Sequence, residues 1–535
     1  MSVDTRTGSD LTFRVSGGLV RGARESGVDV WRGIPYSAPP VGELRFRAPR
    51  PVVPWEGVRD AAEWGNVSPQ AHRGLFLGAA PGTPMGEDCL NLNVIRRAGG
   101  FNGDGPAPVM VFIHGGAYSV GSNRTIPRDG ETLARRGGIV YVGIHYRLGA
   151  LGYLDFTRYS TPERPFESNL GLRDQVAALE WVRDNIHVFG GDPGNVTIFG
   201  ESAGGNAVTT LMATPAAAGL FHRAIAQSPP PNAIYLPELT AQWAGEFVEF
   251  LSAAVDNSSV ESTTPEDAAR LLATADVADL VKATTELQLR TPDELPGTIC
   301  LCPVVDGDYL PERPLDAFKH GRAHRVPLIV GTNDREGSLF FGRLDILASS
   351  PPRIRAIFAK TRKKTRKAIK AEYPGLPARR AAGDFAGDYS FWYPTVKVGE
   401  RHARFAPVYF YRFDIAPRLV RMLGLDATHG IELFAVFDRM NTWFGRAMTV
   451  LGGRRAFNAA GRRMRHRWLA FAATGDPNGP LSESATPPPR TVPRPKWQQY
   501  SEPSRLTLII DRQDYIESDP RGARRRAWQE FVPHV

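Results

Sequence analysis

The residues best suited to covalent chemistry lie in VTIFGESAGG, where a β-branched run meets Gly200-Glu201-Ser202-Ala203-Gly204 and a helical pattern follows. A serine in G-x-S-x-G between a strand and a helix sits on a turn so sharp that the positions two before and two after it must lack side chains. The turn projects the Ser202 hydroxyl above a sheet, beside a helix N-terminus whose free N–H groups favour developing negative charge. Such a hydroxyl is a candidate nucleophile for acyl transfer through a covalent intermediate.

That chemistry needs donors for an oxyanion. The strand-like run 108–113 ends in His114-Gly115-Gly116-Ala117, and two glycines let a backbone approach a substrate carbonyl. The amides of Gly115 and Gly116, with that of Ala203, are the candidate donors. A serine also needs a base. In this arrangement the chain order is serine, then Asp or Glu, then histidine, and only His320, His324, His402, His429, His466 and His534 follow Ser202. His320 and His324 precede the strand-like VPLIVG and leave little room for an acid before them. His402 and His466 lie in helix-like, arginine-rich stretches, and His534 is at the terminus. His429, in the glycine-flanked DATHGIE, stands where a loop delivers an imidazole to a sheet edge, with an expected pKa of roughly 6 to 7. VPLIVG runs into TNDREGS, whose Asp334 and Glu336 are both candidate acids that pattern alone does not separate.

The elements that must position these groups follow from periodicity. Short β-branched runs alternating with longer helical patterns predict a sheet with crossover helices. Candidate strands are 108–113, 139–146, 196–199, 326–331 and 407–413, each apolar enough for a buried central position. GLRDQVAALEWVRDNI spaces Val176, Leu179, Val182 and Ile186 three or four apart, which predicts an amphipathic helix, and GGDPGN turns into the next strand. Two charged, helix-like segments, 241–295 and 345–402, interrupt this rhythm. Insertions at strand ends build pocket walls, so both are read as lids. The Pro-rich segment 482–495 reads as a surface loop.

Taken with GIPYSAPPVGELRF, GEDCLNLNV, HYRLGALGYL, FHRAIAQS, PVVDGDYLPERP, GTNDREGSLF and THGIELFAVF, these residues resemble the type-B carboxylesterases, a family of bacterial esterases and cholinesterases, over most of the chain. The resemblance implies one α/β-hydrolase domain over residues 1–535: a central, mostly parallel sheet flanked by helices, with the two helical insertions over a gorge. It implies a serine carboxylesterase acting on small neutral esters through an acyl-enzyme, with no cofactor and no metal. It also implies the acid, because the family's glutamate precedes Gly-Ser, as Glu336 does; the triad is then Ser202, Glu336 and His429. Glu201 is implied beside the base, stabilising the imidazolium, and Ser228, which closes FHRAIAQS, is a further supporting residue. A non-catalytic binding homologue would lack the serine or the histidine, and the complete set argues against one. Amide, carbamate or lipid substrates stay open.

Departures from the family matter equally. Ser68-Pro69-Gln70 stands where many relatives have Cys-Pro-Gln bridged to the cysteine of Glu-Asp-Cys, so Cys89 is expected to be free. Cys300 and Cys302 are expected as buried small hydrophobes. Pro229 and Pro230 replace the usual glycine and are expected to alter the acyl-pocket wall behind Ser228. Arg45 with Glu87, and Arg147 with Asp174, are expected as structural ion pairs. The loop SPQAHRGLFLGAAPGTPMGEDC lacks the tryptophan on which cholinesterases hold a quaternary ammonium; it has only Phe76 and adds His72 and Arg73.

Composition excludes several classes. With 535 residues, 42% apolar and 23% charged, the chain is globular in composition, and three cysteines exclude a disulfide scaffold and favour a cytoplasmic protein. The start MSVDTRTGSDLTF lacks a signal pattern, and no stretch approaches the roughly 20 apolar residues of a spanning helix. The net charge of +9 is concentrated in 359–373 and 522–528. Without interleaved aromatics or a recognition motif these runs read as solvated helix faces, with no nucleic-acid partner. Oligomeric state is left open by the sequence.

Overall fold

The computed structural model describes residues 11–531 except 73–77, 101–104, 125–129, 257–263, 342–344, 483–484 and 486–493. His534, Arg73, Phe76 and most of the Pro-rich segment 482–495 lie outside the described residues. Among those described, eleven strands form one sheet. They are β1 (Ala23–Glu25), β2 (Val28–Pro35), β3 (Asn91–Arg97), β4 (Ala107–Ile113), β5 (Val140–Ile144), β6 (Gly191–Glu201), β7 (Arg223–Gln227), β8 (Leu328–Asn333), β9 (Val408–Phe413), β10 (Leu506–Ile510) and β11 (Tyr515–Ser518).

The spatial order is β11-β10-β9-β8-β7-β6-β4-β5-β3-β2-β1. Strands β5 to β10 in this order pair in parallel, while β11, β3, β2 and β1 add antiparallel edges. Every residue of β4, β5 and β8 is buried, as continuous apolar runs require when helices cover both faces. This is the α/β-hydrolase fold, and all five expected central strands are present. The turn expected at GGDPGN lies inside β6: Gly191 already pairs with Ala107, and Val196 pairs with Val109, so residues 192–195 bulge out of the ladder.

The expected amphipathic helix is α1 (Leu170–Asn185), with Val176, Leu179 and Val182 buried against the sheet. Helix α2 (Ala203–Leu211) follows β6 directly and is buried throughout. The first insertion forms α3 (Pro237–Asp256), α4 (Pro265–Thr274) and α5 (Val277–Glu294). The second forms α6 (Pro351–Ala359), α7 (Lys363–Glu372), α8 (Arg379–Gly387), a π-helical turn Asp388–Trp392, and α9 (Tyr393–His402). Then come α10 (Arg418–Met422), α11 (Glu432–Val436), α12 (Trp443–Met448), α13 (Arg454–Thr474) and α14 (Gly522–Phe531).

Both expected ion pairs knit these layers. Arg147, just after β5, forks onto Asp174 of α1 at 2.6 and 2.8 Å with both side chains buried. Arg45 forks onto Glu87 at 2.6 and 2.8 Å and also donates to the carbonyl of Ala275 beyond α4. Cys89, Cys300 and Cys302 are free and buried, and burial pushes the Cys89 and Cys300 thiols up to about 12. The backbone N–H of Leu148 donates to the Ser68 hydroxyl at 3.0 Å.

Candidate active site

The site is assembled at the carboxyl ends of adjacent strands, where open parallel sheets present functional groups. Ser202 follows β6 at φ 60° and ψ −125° and caps α2. A non-glycine residue at such angles is strained by about 1–3 kcal/mol, and hydrogen bonds on both sides hold it. Its N–H donates to Gln227 of β7 at 2.9 Å, and its carbonyl accepts from Asn206 at 2.8 Å. The flanking glycines are required sterically. A Cβ on Gly204 would lie 2.1 Å from the Ile113 carbonyl, and one on Gly200 would lie 2.6 Å from the same oxygen. The elbow is therefore clamped against the end of β4, and the Ser202 side chain stays partly exposed.

The end of β4 continues into His114-Gly115-Gly116. A Cβ on Gly115 would meet the Glu201 carbonyl at 2.3 Å, so only glycine lets this loop reach the elbow. Gly116 adopts φ 126°. Among the described residues no backbone hydrogen bond takes the amides of Gly115, Gly116 or Ala203, which leaves three donors around the serine. The loop is braced from behind by His114, whose ring stacks on Tyr146 at 4.6 Å, and by Tyr118, which donates to Asn206 of α2 at 2.8 Å.

Of the two acids that pattern leaves open, Glu336 is the one in contact with His429. Glu336, just beyond β8, places Oε2 2.5 Å from His429 Nδ1. Its Oε1 accepts from the Ser228 hydroxyl at 2.6 Å and from the Asn333 N–H at 2.5 Å. Asp334 is turned away, onto Arg521 at 2.6 Å. Ser228, after β7, is thus fully buried beneath the acid. The carbonyls of Pro229 and Pro230 accept from Thr395 at 3.1 Å and from Asn206 at 2.7 Å.

His429 lies on the loop after β9, anchored by a β-bridge between Thr428 and Arg335. Its Nε2 has no hydrogen-bond partner among the described residues, although Glu201 Oε1 is 3.2 Å away, out of line for a bond. Burial disfavours the imidazolium, but Glu201 and Glu336 outweigh it and raise the pKa to about 9, above the range expected from sequence. His402 is buried in the structure instead: its Nε2 contacts the Val326 carbonyl at 2.8 Å, and burial lowers its pKa.

Two features escaped the sequence. Glu432 is completely buried three residues after His429 and accepts from Asn333 Nδ2 at 2.5 Å. Burial, then Glu201 and Glu336, push its pKa well above the usual carboxylate range. The only sequence signal was its place in THGIELF. Second, Phe391 and Phe340 pack against the His429 ring, at centroid distances of 4.4 and 5.1 Å, and form an apolar cluster with Ile346 and Leu347 beside Ala117. Trp392 and Tyr393, the other aromatics of this stretch, are committed to packing: the Arg521 guanidinium covers Trp392 and Tyr393 stacks with Trp528. Among the described residues no group of three His, Cys, Asp or Glu side chains is placed to hold a metal.

A hydrolase elbow, a backbone donor loop and a Glu–His pair on one sheet edge define the class, and comparison with known proteins agrees. The profile of the carboxylesterase family matches residues 9–528. The chain is 34% identical to para-nitrobenzyl esterase of Bacillus subtilis over 95% of its own length and 96% of that protein's, and 32% identical to human carboxylesterase 3 over 94% and 86%. Among solved structures it is similar to a thermophilic PNB esterase, with TM-score 0.82 at 33% identity over 97% of this chain and 100% of that one. The chain belongs to the carboxylesterase family and is a carboxylic ester hydrolase.

Proposed function

We propose that Ser202, His429 and Glu336 hydrolyse neutral carboxylic esters through an acyl-enzyme. Neutral His429 takes the proton from Ser202 as its oxygen attacks the ester carbonyl. The oxyanion forms against the amides of Gly115, Gly116 and Ala203, which are preorganised and so need no rearrangement. His429, now protonated and steadied by Glu336 and Glu201, returns the proton to the departing alcohol. Water activated by the same ring then releases the acid, so serine, water and ester balance the reaction without a cofactor.

The observation that carries this reading is the 2.5 Å contact of Glu336 Oε2 with His429 Nδ1. Residues 1–535 act as one catalytic domain, with 241–295 and 345–402 as the walls of its gorge. The Phe340, Phe391, Ile346 and Leu347 cluster beside the base suits apolar acyl or alcohol groups. Three free thiols support a cytoplasmic setting. No helix of the described residues is long and apolar enough to cross a membrane. The test is a p-nitrophenyl ester panel of graded acyl length with Ser202→Ala as control. Turnover of short and medium chains that vanishes in the variant supports the reading, and turnover surviving in Ser202→Ala contradicts it.

A further inference from the structure

The larger of the chain's two basic runs lies in the second insertion. Residues 355–380 carry ten basic side chains against one acid, Glu372, a surplus equal to the +9 of the whole protein. Helix α7 turns Thr365 and Ile369 inward and leaves Lys363, Lys364 and Lys367 exposed. Among the described residues, none of these three lysines makes an ion pair. Within the helix, Lys363 faces Lys367 and Arg366 faces Lys370 at i,i+4, where like charges repel. Lys363 and Lys364 also occupy the first turn, where the helix dipole disfavours cations.

A second observation lies beside it. Val450, Met422 and Leu423 are the most exposed large apolar side chains among the described residues, at 71%, 68% and 65%, and Trp443 is 59% exposed. All four sit on α10, α12 and the turns after them. These turns are tied together by the Arg418 N–H donating to the Gly452 carbonyl at 3.3 Å. They are tied to the basic insertion by Arg380 of α8, 3.1 Å from Asp426, and by Arg335, which donates to the Gly424 carbonyl at 2.8 Å and pairs with Asp384 of α8 at 2.8 Å. Exposed lysines in an insertion that is tied through Arg380 and Arg335 to a segment of protruding aliphatics and a tryptophan supply the two features that hold a protein at a charged bilayer surface: cations reach anionic headgroups, and the apolar knobs enter the acyl boundary.

We propose that this face docks on anionic phospholipid bilayers. A nucleic acid fits less well, because the basic run buries its own aromatics, Phe358 and Tyr373, and interleaves no exposed ring with its lysines. The face also backs the site: Arg335 precedes Glu336 and bridges to Thr428, beside His429. Esters dissolved in the bilayer are the substrates it brings to the gorge, and only that clause rests on the ester-hydrolase reading, since binding is measured without turnover.

The test is cosedimentation of the full chain with phosphatidylcholine vesicles, with and without phosphatidylglycerol, at low and high salt. Binding is expected only with phosphatidylglycerol and is expected to weaken with salt. Reversing Lys363, Lys364 and Lys367 together to Glu should weaken binding about tenfold or more, and the same positions changed to Gln should weaken it less. Met422→Ser with Leu423→Ser should weaken binding at both salts, and loss of the membrane-induced blue shift in Trp443→Phe should assign the contact. All variants should keep wild-type turnover of a soluble p-nitrophenyl ester, which separates loss of docking from loss of fold or activity. The inference is overturned by equal binding to both vesicle types, or by Glu variants that bind as wild type. Tighter binding to a duplex oligonucleotide than to the vesicles, or a stable dimer lost in Met422→Ser with Leu423→Ser, would equally overturn it.

Discussion

At the scale of single residues the site is governed by how much negative charge surrounds one imidazole. Glu201, Glu336 and Glu432 are all buried within reach of His429. Glu201 and Glu336 raise the His429 pKa, and a base must be neutral to accept the Ser202 proton, so activity should be lost as pH falls through that raised value. The acid limb of kcat/KM is therefore expected above the 6.5 of a free imidazole. Glu201→Gln removes one source of the shift, and its limb should move down by about one unit. A limb unmoved in this variant would show that Glu201 does not act on the ring. The cluster explains what was legible here. Ser202 announced itself through a turn that only certain neighbours permit, and His429 through elimination and a glycine-flanked loop. Asp334 and Glu336 remained equivalent on pattern because the choice depends on Arg521, 187 positions away, which claims Asp334. Glu432 stayed hidden for the same reason: its partner Asn333 comes from β8, which sequence does not place beside the His429 loop.

At the scale of elements, the elbow works because β4, β6 and α2 approach more closely than any side chain allows. Gly204→Ala would set a Cβ 2.1 Å from the Ile113 carbonyl. Part of the backbone must then shift, and the amides of Gly115 and Gly116 shift with it. The variant should lose at least about a hundredfold in kcat, as expected when an oxyanion donor is removed, and wild-type kcat in a folded Gly204→Ala protein would contradict the geometry. Arg147 and Asp174 are both buried, so removing one leaves an uncompensated charge. Arg147→Ala should destabilise by about 3–5 kcal/mol in urea unfolding, and a loss below 1 kcal/mol would mean water reaches Asp174. The elements themselves were readable where their patterns were strong, as in α1 and the five apolar strands. Strand β7, RAIAQ, was not: it has one β-branched residue between polar ends, and its place in the sheet comes from β6 and β8 on either side.

For the whole molecule, stability rests on packing and ion pairs without covalent staples. All three thiols should react only after unfolding, because each is buried and burial raises its pKa. Reductant should leave Tm unchanged; a reductant-sensitive Tm would reveal a bridge. Substrate choice is also a property of the assembled gorge, whose described aromatics near the base are Phe340 and Phe391. Choline esters should be poorer substrates than their neutral 3,3-dimethylbutyl isosteres, and a tenfold preference for the cation, about 1.4 kcal/mol, would refute this. The central claim is that one strained serine does the chemistry, and an active-site-directed fluorophosphonate measures it most directly. Mass spectrometry should find a single adduct, on the peptide bearing Ser202, formed in step with loss of turnover. Ser202→Ala should neither label nor turn over above about one part in ten thousand of wild type. Labelling of another serine, with Ser202→Ala still active, would contradict it.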